Sequence, residues 1–441
     1  MLHLGVNLEQ QNKKLLIITY YWPPSGGIAV QRWLKFTKHL KQLGWEPIVY
    51  TPSNPELQYE DPTTLKEIPE GIEIIKKPIF EPYTFYQFFT GNRKKETGFG
   101  FAQQSKKKSF FHELFVWIRG NFFIPDARMF WIRPSVRFLT EYLKKNPVKA
   151  VITTGPPHSM HLIGLKLKNN LGLRWIADFR DPWTNIDFYR ELKLTKWADD
   201  RHHRLEKRVL QTADAVLVVS TDIKKEFEAK TTKPVYIITN GFDPEEFEEI
   251  HVDIDEKFVL THVGTLPPSR NPIVLWKCLQ HLCENIPNFR NDLIIRLVGK
   301  VDSEILKSVK EFGLEKQLEL ISFVPRKEAL KFQKSTQINL LIVNNTPNSA
   351  GIMTGKLFEY LAAGRFILGI GPEDGDMSRV LNETKAGMTI GFENVDKGIE
   401  ILAELYKSYK NGKITVQTDS IQKYSRSFLA KEISEIINKL S

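Results

Sequence analysis

The sequence predicts an α/β protein made of two Rossmann-like domains with parallel sheets. With 441 residues, the chain is long enough for two complete hydrophobic cores. Short apolar runs without polar alternation recur between helical stretches, which is typical of parallel strands covered on both faces. A polar, acidic connector at residues 244–256 separates two such series. We therefore predict domains at residues 1–245 and 256–419, followed by a helix at 420–441 that crosses back to the first domain.

The first domain opens with a strand at residues 14–20, the loop WPPSGG, a helix at about 28–43 and a strand at 46–51. Gly26 and Gly27 stand at the start of the helix, where a ligand could approach the backbone at the positive end of the helix dipole. A tight turn without a ligand is the alternative. The spacing does not match the GxGxxG of dinucleotide sites.

Two polar clusters follow later strands of this domain, which we predict at residues 150–154, 174–178, 215–219 and 235–239. His158 lies in GPPHSMH after the first of these strands, and Asp178, Arg180 and Asp181 lie in DFRDPW after the second. Ligands collect at the carboxyl ends of parallel strands, so both clusters are predicted to face one cleft. A capping or core role for His158, and an internal salt bridge in the second cluster, are the alternatives.

An aromatic and basic insertion at about residues 80–135 interrupts this alternation. Residues 85–150 contain thirteen basic and four acidic residues, so this segment carries +9 of the formal net charge of +10. Residues 106–108 (KKK) precede FFHELFVWIRGNFF, with Ser109 between them. Basic residues beside bulky apolar ones suit the headgroup zone of an anionic bilayer, so we predict peripheral membrane contact. Solvated lysines on a core-covering insertion are the alternative. No recognition-module pattern favours nucleic-acid binding.

Cysteine usage and apolar run lengths indicate a cytoplasmic protein, peripheral to the inner face of the membrane. Cys278 and Cys283 lie in one predicted helix at a spacing that points them in different directions, so free thiols are predicted. The N-terminus lacks a basic-then-apolar signal, and no run approaches ~18 apolar residues.

The second domain is predicted to have strands at residues 258–263, 293–298, 318–322, 338–342, 366–370 and 388–390. The first strand ends in VGTLPPSRNP, which places Gly264, Thr265 and Arg270 on a strand-to-helix loop. Arg270 there could bind a phosphate group.

Residues 344–371, NNTPNSAGIMTGKLFEYLAAGRFILGIG, contain a polar loop, a helix and a buried strand. We predict that Thr354 caps the helix and Gly364 ends it. Lys356 and the free N–H groups of residues 352–357 would form an anion site. Glu359, on the same helical face as Lys356, would bind sugar hydroxyls. The alternative is a buried crossover with a surface Lys–Glu pair. The full predicted donor site is Gly264, Thr265, Arg270, Gly351, Ile352, Met353, Thr354, Lys356, Leu357 and Glu359.

This arrangement resembles the GT-B glycosyltransferases, specifically family 4, the retaining nucleotide-sugar enzymes found in bacteria. The resemblance covers nearly the whole chain outside the insertion. Its most specific parts are residues 344–371 and the turn Asn240-Gly241-Phe242-Asp243, which is similar to the family's NGVD turn. It implies that the donor binds mainly to the second domain and the acceptor to the first, across a cleft.

The resemblance also implies roles for single residues. Gly26 and Gly27 match the first-domain glycine loop. Glu359 matches the second glutamate of the E-x7-E motif, which holds the ribose hydroxyls. Arg270 falls where the family has a lysine on the diphosphate, and Lys356 resembles the phosphate lysine of KLFEY-type helices.

The sequence departs from the family pattern at three points. Gly351 stands where the first motif glutamate would fall. Thr265 replaces the usual arginine, and Arg180-Asp181 replaces the family's His-Asp pair.

The implied activity is transfer of a hexosyl group from a nucleotide diphosphate-sugar to a lipid-linked glycan acceptor, in cell-surface polysaccharide synthesis. Arg270, Lys356 and the helix N-terminus would stabilise the leaving diphosphate without a cofactor or metal, and Asp181 is the candidate base. Asp374-Gly375-Asp376 spells the DxD of metal-dependent enzymes, but its position favours a loop or N-cap. A nucleotide-sugar epimerase and a non-catalytic binding subunit are the alternative functions.

Overall fold

The structure is a computed structural model that describes residues 12–57, 60–81, 110–186, 189–412, 414, 416 and 420–440. The basic run at 106–108 and the insertion's aromatics before residue 110 other than Phe80 lie outside the described residues. The chain divides into two compact units. The first consists of residues 1–219, 223–238 and 430–441, and the second of residues 220–222 and 239–429.

The first unit is built on a seven-stranded parallel sheet in the order β3-β2-β1-β4-β5-β6-β7. Its strands are β1 (Lys14–Ile18), β2 (Glu46–Pro52), β3 (Glu73–Lys77), β4 (Ala150–Gly155), β5 (Trp175–Phe179), β6 (Ala215–Val218) and β7 (Val235–Ile237). The sequence predicted all of them except β3, whose residues EIIKK are only partly buried because the strand lies at the sheet edge. Strand β1 pairs with both β2 and β4, which creates a topological switch point between β1 and β4.

Helices connect these strands and cover the sheet. They are α1 (Ile28–Gln42), α2 (Phe110–Phe122), α3 (Ile132–Lys145), α4 (Ser159–Leu171), α5 (Lys196–Thr212) and α6 (Thr221–Glu228). Gly27 precedes α1 with a φ of 96°, a left-handed conformation that favours glycine. The glycine is therefore needed for the backbone turn itself, whether or not a ligand binds there.

The second unit has a six-stranded parallel sheet in the order β10-β9-β8-β11-β12-β13. Its strands are β8 (Phe258–Val263), β9 (Leu293–Val298), β10 (Leu318–Ile321), β11 (Ile338–Ile342), β12 (Phe366–Ile370) and β13 (Gly387–Ile390). All six were predicted, because each is a continuous or nearly continuous apolar run. Strand β8 pairs with both β9 and β11, so the switch point of this sheet lies at the end of β8.

The helices of the second half follow the same alternation. They are α7 (Pro244–Glu248), α8 (Ile273–Asn285), α9 (Phe289–Asp292), α10 (Ser303–Glu311), α11 (Arg326–Ser335), α12 (Gly355–Ala363), α13 (Asp376–Thr384), α14 (Val395–Lys410) and α15 (Arg426–Lys439). Cys278 on α8 is buried, Cys283 is partly buried, and both are free thiols as predicted. Within the described residues, no helix has the length and apolar content needed to cross a membrane.

The last helix, α15, starts at Arg426, after a short 3₁₀ turn at Ile421–Tyr424. In the second unit, Arg426 Nη1 forms a 2.8 Å ion pair with Asp243 Oδ2, in the turn before α7. The part of α15 from residue 430 belongs to the first unit, where Trp45 Nε1 donates a 2.8 Å hydrogen bond to Ser434 Oγ.

Candidate functional site

The N-terminus of α12, which follows the polar loop, has fewer free backbone N–H groups than predicted. The Ile352 amide donates to the Ser349 carbonyl, and the Leu357 amide donates to the Thr354 carbonyl, each at 3.2 Å. The amides that remain as candidates for an anion therefore belong to residues 353–356. Thr354 occupies the N-cap position, but its hydroxyl does not cap the helix, contrary to prediction. Gly364 ends α12 with a φ of 67°, as predicted.

Three basic side chains converge beside this helix N-terminus. Lys356, the second residue of α12, places its Nζ 3.5 Å from Nε2 of His262, which lies on β8. Gly264 follows β8 with a φ of 118°, and a Cβ there would lie 2.6 Å from Lys356 Nζ. The glycine thus makes room for the lysine. Arg270 comes from the loop after β8, and its Nε donates a 2.6 Å hydrogen bond to Asn344 Oδ1.

The electrostatics of this cationic cluster (Arg270 and Lys356, with His262 beside them) are unfavourable without an anion. Burial lowers the pKa of Lys356 to about 7, and the positive charge of Arg270 adds to this, while Glu359 opposes it. Burial also holds the pKa of His262 well below its usual range, and Lys356 lowers it further. A bound dianion would restore the charged form of the lysine, which is the pattern expected of a functional site.

The structure separates Glu359 from Lys356. The Glu359 carboxylate instead contacts α11, where Arg326 Nη1 lies 2.8 Å from Glu359 Oε1. Gln333 Nε2 donates to Glu359 Oε2 at 3.1 Å. The surface Lys–Glu pair considered from the sequence is therefore not formed. Sequence reasoning missed Arg326 and Gln333, although Arg326 also follows the end of a strand, the signal used for Arg270.

The other predicted donor residues lie on the two loops of this site. Thr265 follows Gly264 after β8, and Met353 is buried next to α12. Gly351 ends the short turn Ser349–Gly351 and supplies no carboxylate. Beside Arg270, a pocket of about 450 Å³ is lined by the start of α8, the ends of β11 and β12, and the loop before α14.

Asp374-Gly375-Asp376 forms the start of α13, as the sequence favoured. Gly375 occupies the N-cap position, and Asp376 is buried in a 2.6 Å ion pair with Arg379 of the same helix. Across the described residues, no group of three or more His, Cys, Asp or Glu side chains is arranged to hold a metal ion.

In the first unit, Asp178 forms an internal salt bridge. It is fully buried and forms a 2.7 Å ion pair with Arg32 of α1. Trp33 Nε1 and Thr154 Oγ1 also donate to it, at 2.7 and 2.9 Å. Burial raises the pKa of Asp178, but Arg32 and these hydrogen bonds lower it by more. Of the two interpretations of this cluster, the internal salt bridge is correct for Asp178, with Arg32 as the unforeseen partner.

His158 and His161 lie inside an aromatic cluster at the end of β4. The His158 ring stacks on Trp183 with centroids 4.9 Å apart, and the His161 ring stacks on Phe179 at 4.2 Å. Burial lowers the pKa of His158 well below its usual range and that of His161 to about 3. Both are therefore neutral at physiological pH. The core role for His158 is the one that the structure supports.

Arg180 and Asp181 directly follow β5. Arg180 Nη2 donates to the Pro156 carbonyl, and its guanidinium lies 5.8 Å from the Tyr21 ring centroid. Burial lowers the pKa of Arg180, an effect that the neighbouring Asp181 opposes. Asp181 is exposed. Gly26 and Gly27 are partly buried before α1.

These two parallel-sheet units, with a cationic cluster at the switch point of the second, have the fold of GT-B glycosyltransferases, as predicted. The sequence model of Glycosyltransferase Family 4 matches residues 100–246. No curated protein matches the chain by sequence.

Solved structures share this fold at low sequence identity. A glycosyltransferase from Rickettsia africae is 13% identical with a TM-score of 0.60, over 98% of this chain and 99% of that one. Sucrose-phosphate synthase from Thermosynechococcus elongatus is 13% identical with a TM-score of 0.60, over 97% and 99%. Anabaena HepE, solved in complex with UDP, is 11% identical with a TM-score of 0.60, over 97% and 100%.

Proposed function

We propose that this protein is a glycosyltransferase that moves a hexosyl group from a nucleotide diphosphate-sugar to a lipid-linked glycan acceptor in the synthesis of a cell-surface polysaccharide. The observation that carries the proposal is the convergence of Arg270, Lys356 and His262 on the N-terminus of α12. Arg270 and Lys356, two basic side chains that repel each other beside a helix N-terminus, are suited to the two negative charges of a diphosphate. HepE, which shares the fold, binds UDP.

In the proposed reaction, the bond between the anomeric carbon and the diphosphate oxygen breaks, and that oxygen keeps the electron pair. The acceptor hydroxyl oxygen forms the new bond to the anomeric carbon, and its proton passes to the departing diphosphate, with retention of configuration. Arg270 and Lys356 stabilise the charge that develops on the leaving group. Asp181, which is exposed, is the candidate base if the reaction inverts configuration instead.

The lipid-linked acceptor is supported by the surface of α2. Leu114, Trp117, Ile118 and Phe122 of this helix are exposed large apolar residues, and Phe122 exposes 61% of its surface. Arg133 and Arg137, early in the next helix, are exposed cations. Apolar side chains together with basic ones suit an anionic bilayer, and an acceptor embedded there would bring its glycan to the enzyme.

Thermal shift with nucleoside diphosphates tests the donor site. We expect UDP, GDP or ADP, or one of their hexose conjugates, to raise the melting temperature by about 5 °C when present at about 100 times its Kd. At the same nucleotide concentration, the Lys356→Met variant should show about half of this shift or less. If every nucleotide leaves the melting temperature of the unchanged protein where it was, the donor site is wrong.

A further inference from the structure

Both carboxylate oxygens of Glu359 are held by the neighbouring helix α11. Arg326, the first residue of α11, donates from Nη1 to Oε1 at 2.8 Å. Gln333, two helical turns later on the same face, donates from Nε2 to Oε2 at 3.1 Å. Gln333 is 1% exposed, so its amide has little freedom to turn away. The plane of the Glu359 carboxylate is therefore fixed before any ligand arrives.

Arg326 is itself anchored on a second carboxylate. Its Nη2 lies 2.6 Å from Oε2 of Glu246, on the short helix α7. Burial lowers the pKa of Arg326, but Glu359 and Glu246 raise it by more, so the guanidinium is charged. A planar guanidinium that contacts carboxylates through two different nitrogens has a defined orientation, which a lysine in its place could not reproduce.

We propose that Arg326, together with Gln333, is a positioning residue that orients Glu359 to receive the two ribose hydroxyls of the donor. Each carboxylate oxygen of Glu359 accepts one hydrogen bond from α11 and has a second lone pair. The carboxylate can therefore accept two further hydrogen bonds from O–H groups. The adjacent 2′- and 3′-hydroxyls of a ribose supply two such donors. This inference rests on the proposed function, because it concerns the same donor site.

A merely structural ion pair and a positioning residue predict different results. Loss of a structural ion pair would weaken every nucleotide equally. Loss of a positioning residue would weaken only the contacts that Glu359 makes to the sugar hydroxyls, so a nucleotide without the 2′-hydroxyl would be affected less. The ratio of the Kd values of the deoxy and ribo forms, measured within one variant, separates the two cases, since a general loss of stability cancels in the ratio.

The experiment uses the full chain and isothermal titration calorimetry with UDP, GDP and ADP, each paired with its 2′-deoxy counterpart. We expect the unchanged protein to bind the ribo form of its nucleotide about tenfold more tightly than the deoxy form, as for one hydrogen bond to a charged group. In Arg326→Ala this preference should fall to about twofold or less. Arg326→Lys, which keeps only the charge, should not restore it.

Gln333→Met and Arg296→Ala complete the design. Gln333→Met conserves side-chain volume and removes only the second contact to Glu359, so it should lower the preference for the ribo nucleotide. This variant tests the proposal even if Arg326→Ala does not fold. Arg296 also bridges two carboxylates, Asp255 and Glu319, each at 2.7 Å in the same unit, and neither of them is Glu359. Arg296→Ala should therefore leave the preference unchanged.

Each contrary outcome has a distinct meaning. An unchanged or larger preference in Arg326→Ala and Gln333→Met would overturn the positioning role alone. If the protein without substitutions binds the ribo and 2′-deoxy nucleotides equally well, the ribose contact of Glu359 is overturned, while the diphosphate site stays in place. If the unchanged protein binds none of the six nucleotides, the proposed function fails together with this inference.

Discussion

At Lys356, the proposed function and the stability of the fold oppose each other. Its ammonium group is placed among other basic groups and away from solvent, which lowers its pKa to about 7 in the folded protein. In the unfolded chain, its pKa returns to about 10.4. Charging this lysine therefore costs folding free energy, and the cost is largest below about pH 7 and disappears as the pH rises towards the unfolded value. A bound diphosphate would offset this cost by favouring the charged form.

Replacing Lys356 with Met should separate these two effects. We expect the variant to be as stable as the parent protein or more stable by about 1–3 kcal/mol near pH 7, because a poorly solvated cation is removed. Its affinity for the nucleoside diphosphate should fall about 10- to 100-fold, since a charge-assisted contact is lost. Urea unfolding and calorimetric titration measure the two quantities. A variant that is destabilised and still binds would contradict the assignment.

The same group makes nucleotide binding depend on pH. Diphosphate binding should raise the pKa of Lys356, so the parent protein should take up a proton on binding and lose affinity as the pH rises above about 7. Titrations in two buffers with different ionisation enthalpies measure this uptake. Lys356→Met serves as the control, because proton uptake that remains in this variant comes from the phosphate itself and can be subtracted. Equal proton uptake in both proteins would count against the lysine.

At the scale of the element, the loop after β8 and the start of α12 act together. Gly264 has a φ of 118°, and its missing side chain leaves the space that Lys356 Nζ fills. The backbone of one element thus determines where the cation of the other can lie. Arg326 and Gln333 on α11 do the same for Glu359, so the two side chains of α12 that we propose for phosphate and sugar are each oriented by a different neighbour.

Gly264→Ala should therefore affect binding as well as stability. The added methyl group would strain the backbone by about 1–2 kcal/mol and displace the lysine, so we expect about tenfold weaker nucleotide binding. Gly313→Ala is the matched control, because Gly313 also has a positive φ, of 65°, with no atom within 4 Å of its added Cβ. The control should lose stability only. Similar affinities in the two variants would show that Gly264 does not determine the position of Lys356.

At the scale of the whole molecule, the distribution of charge and apolar surface predicts where the protein works. Nearly all of the positive excess lies in residues 85–150. The described part of this segment exposes Leu114, Trp117, Ile118 and Phe122 of α2. We expect the protein to float with liposomes that contain an anionic lipid, and to be released as the salt concentration rises. Liposomes of neutral lipid alone should bind it much less.

Trp117 and Phe122 provide the variant for this experiment. The double substitution Trp117→Ser and Phe122→Ser should lower the floated fraction, because it removes exposed apolar area from α2. Trp197→Ser is the control, since Trp197 is also an exposed tryptophan, at 55%, but lies on α5 outside this segment. A protein that stays in solution with anionic liposomes at low salt would point to a soluble acceptor.

The sequence by itself determined the two sheets, because twelve of the thirteen strands described are apolar runs whose pattern is local, and β3 was missed where edge exposure weakens that pattern. It also proposed Arg270 and Lys356 as candidates from their places near a strand end and a helix start, and Glu359 from its spacing to Lys356. Only the tertiary structure decided which groups meet. The partners of Asp178 and Glu359 come from segments distant in sequence, and the depressed pKa of Lys356 arises from burial and from Arg270, none of which a local pattern encodes.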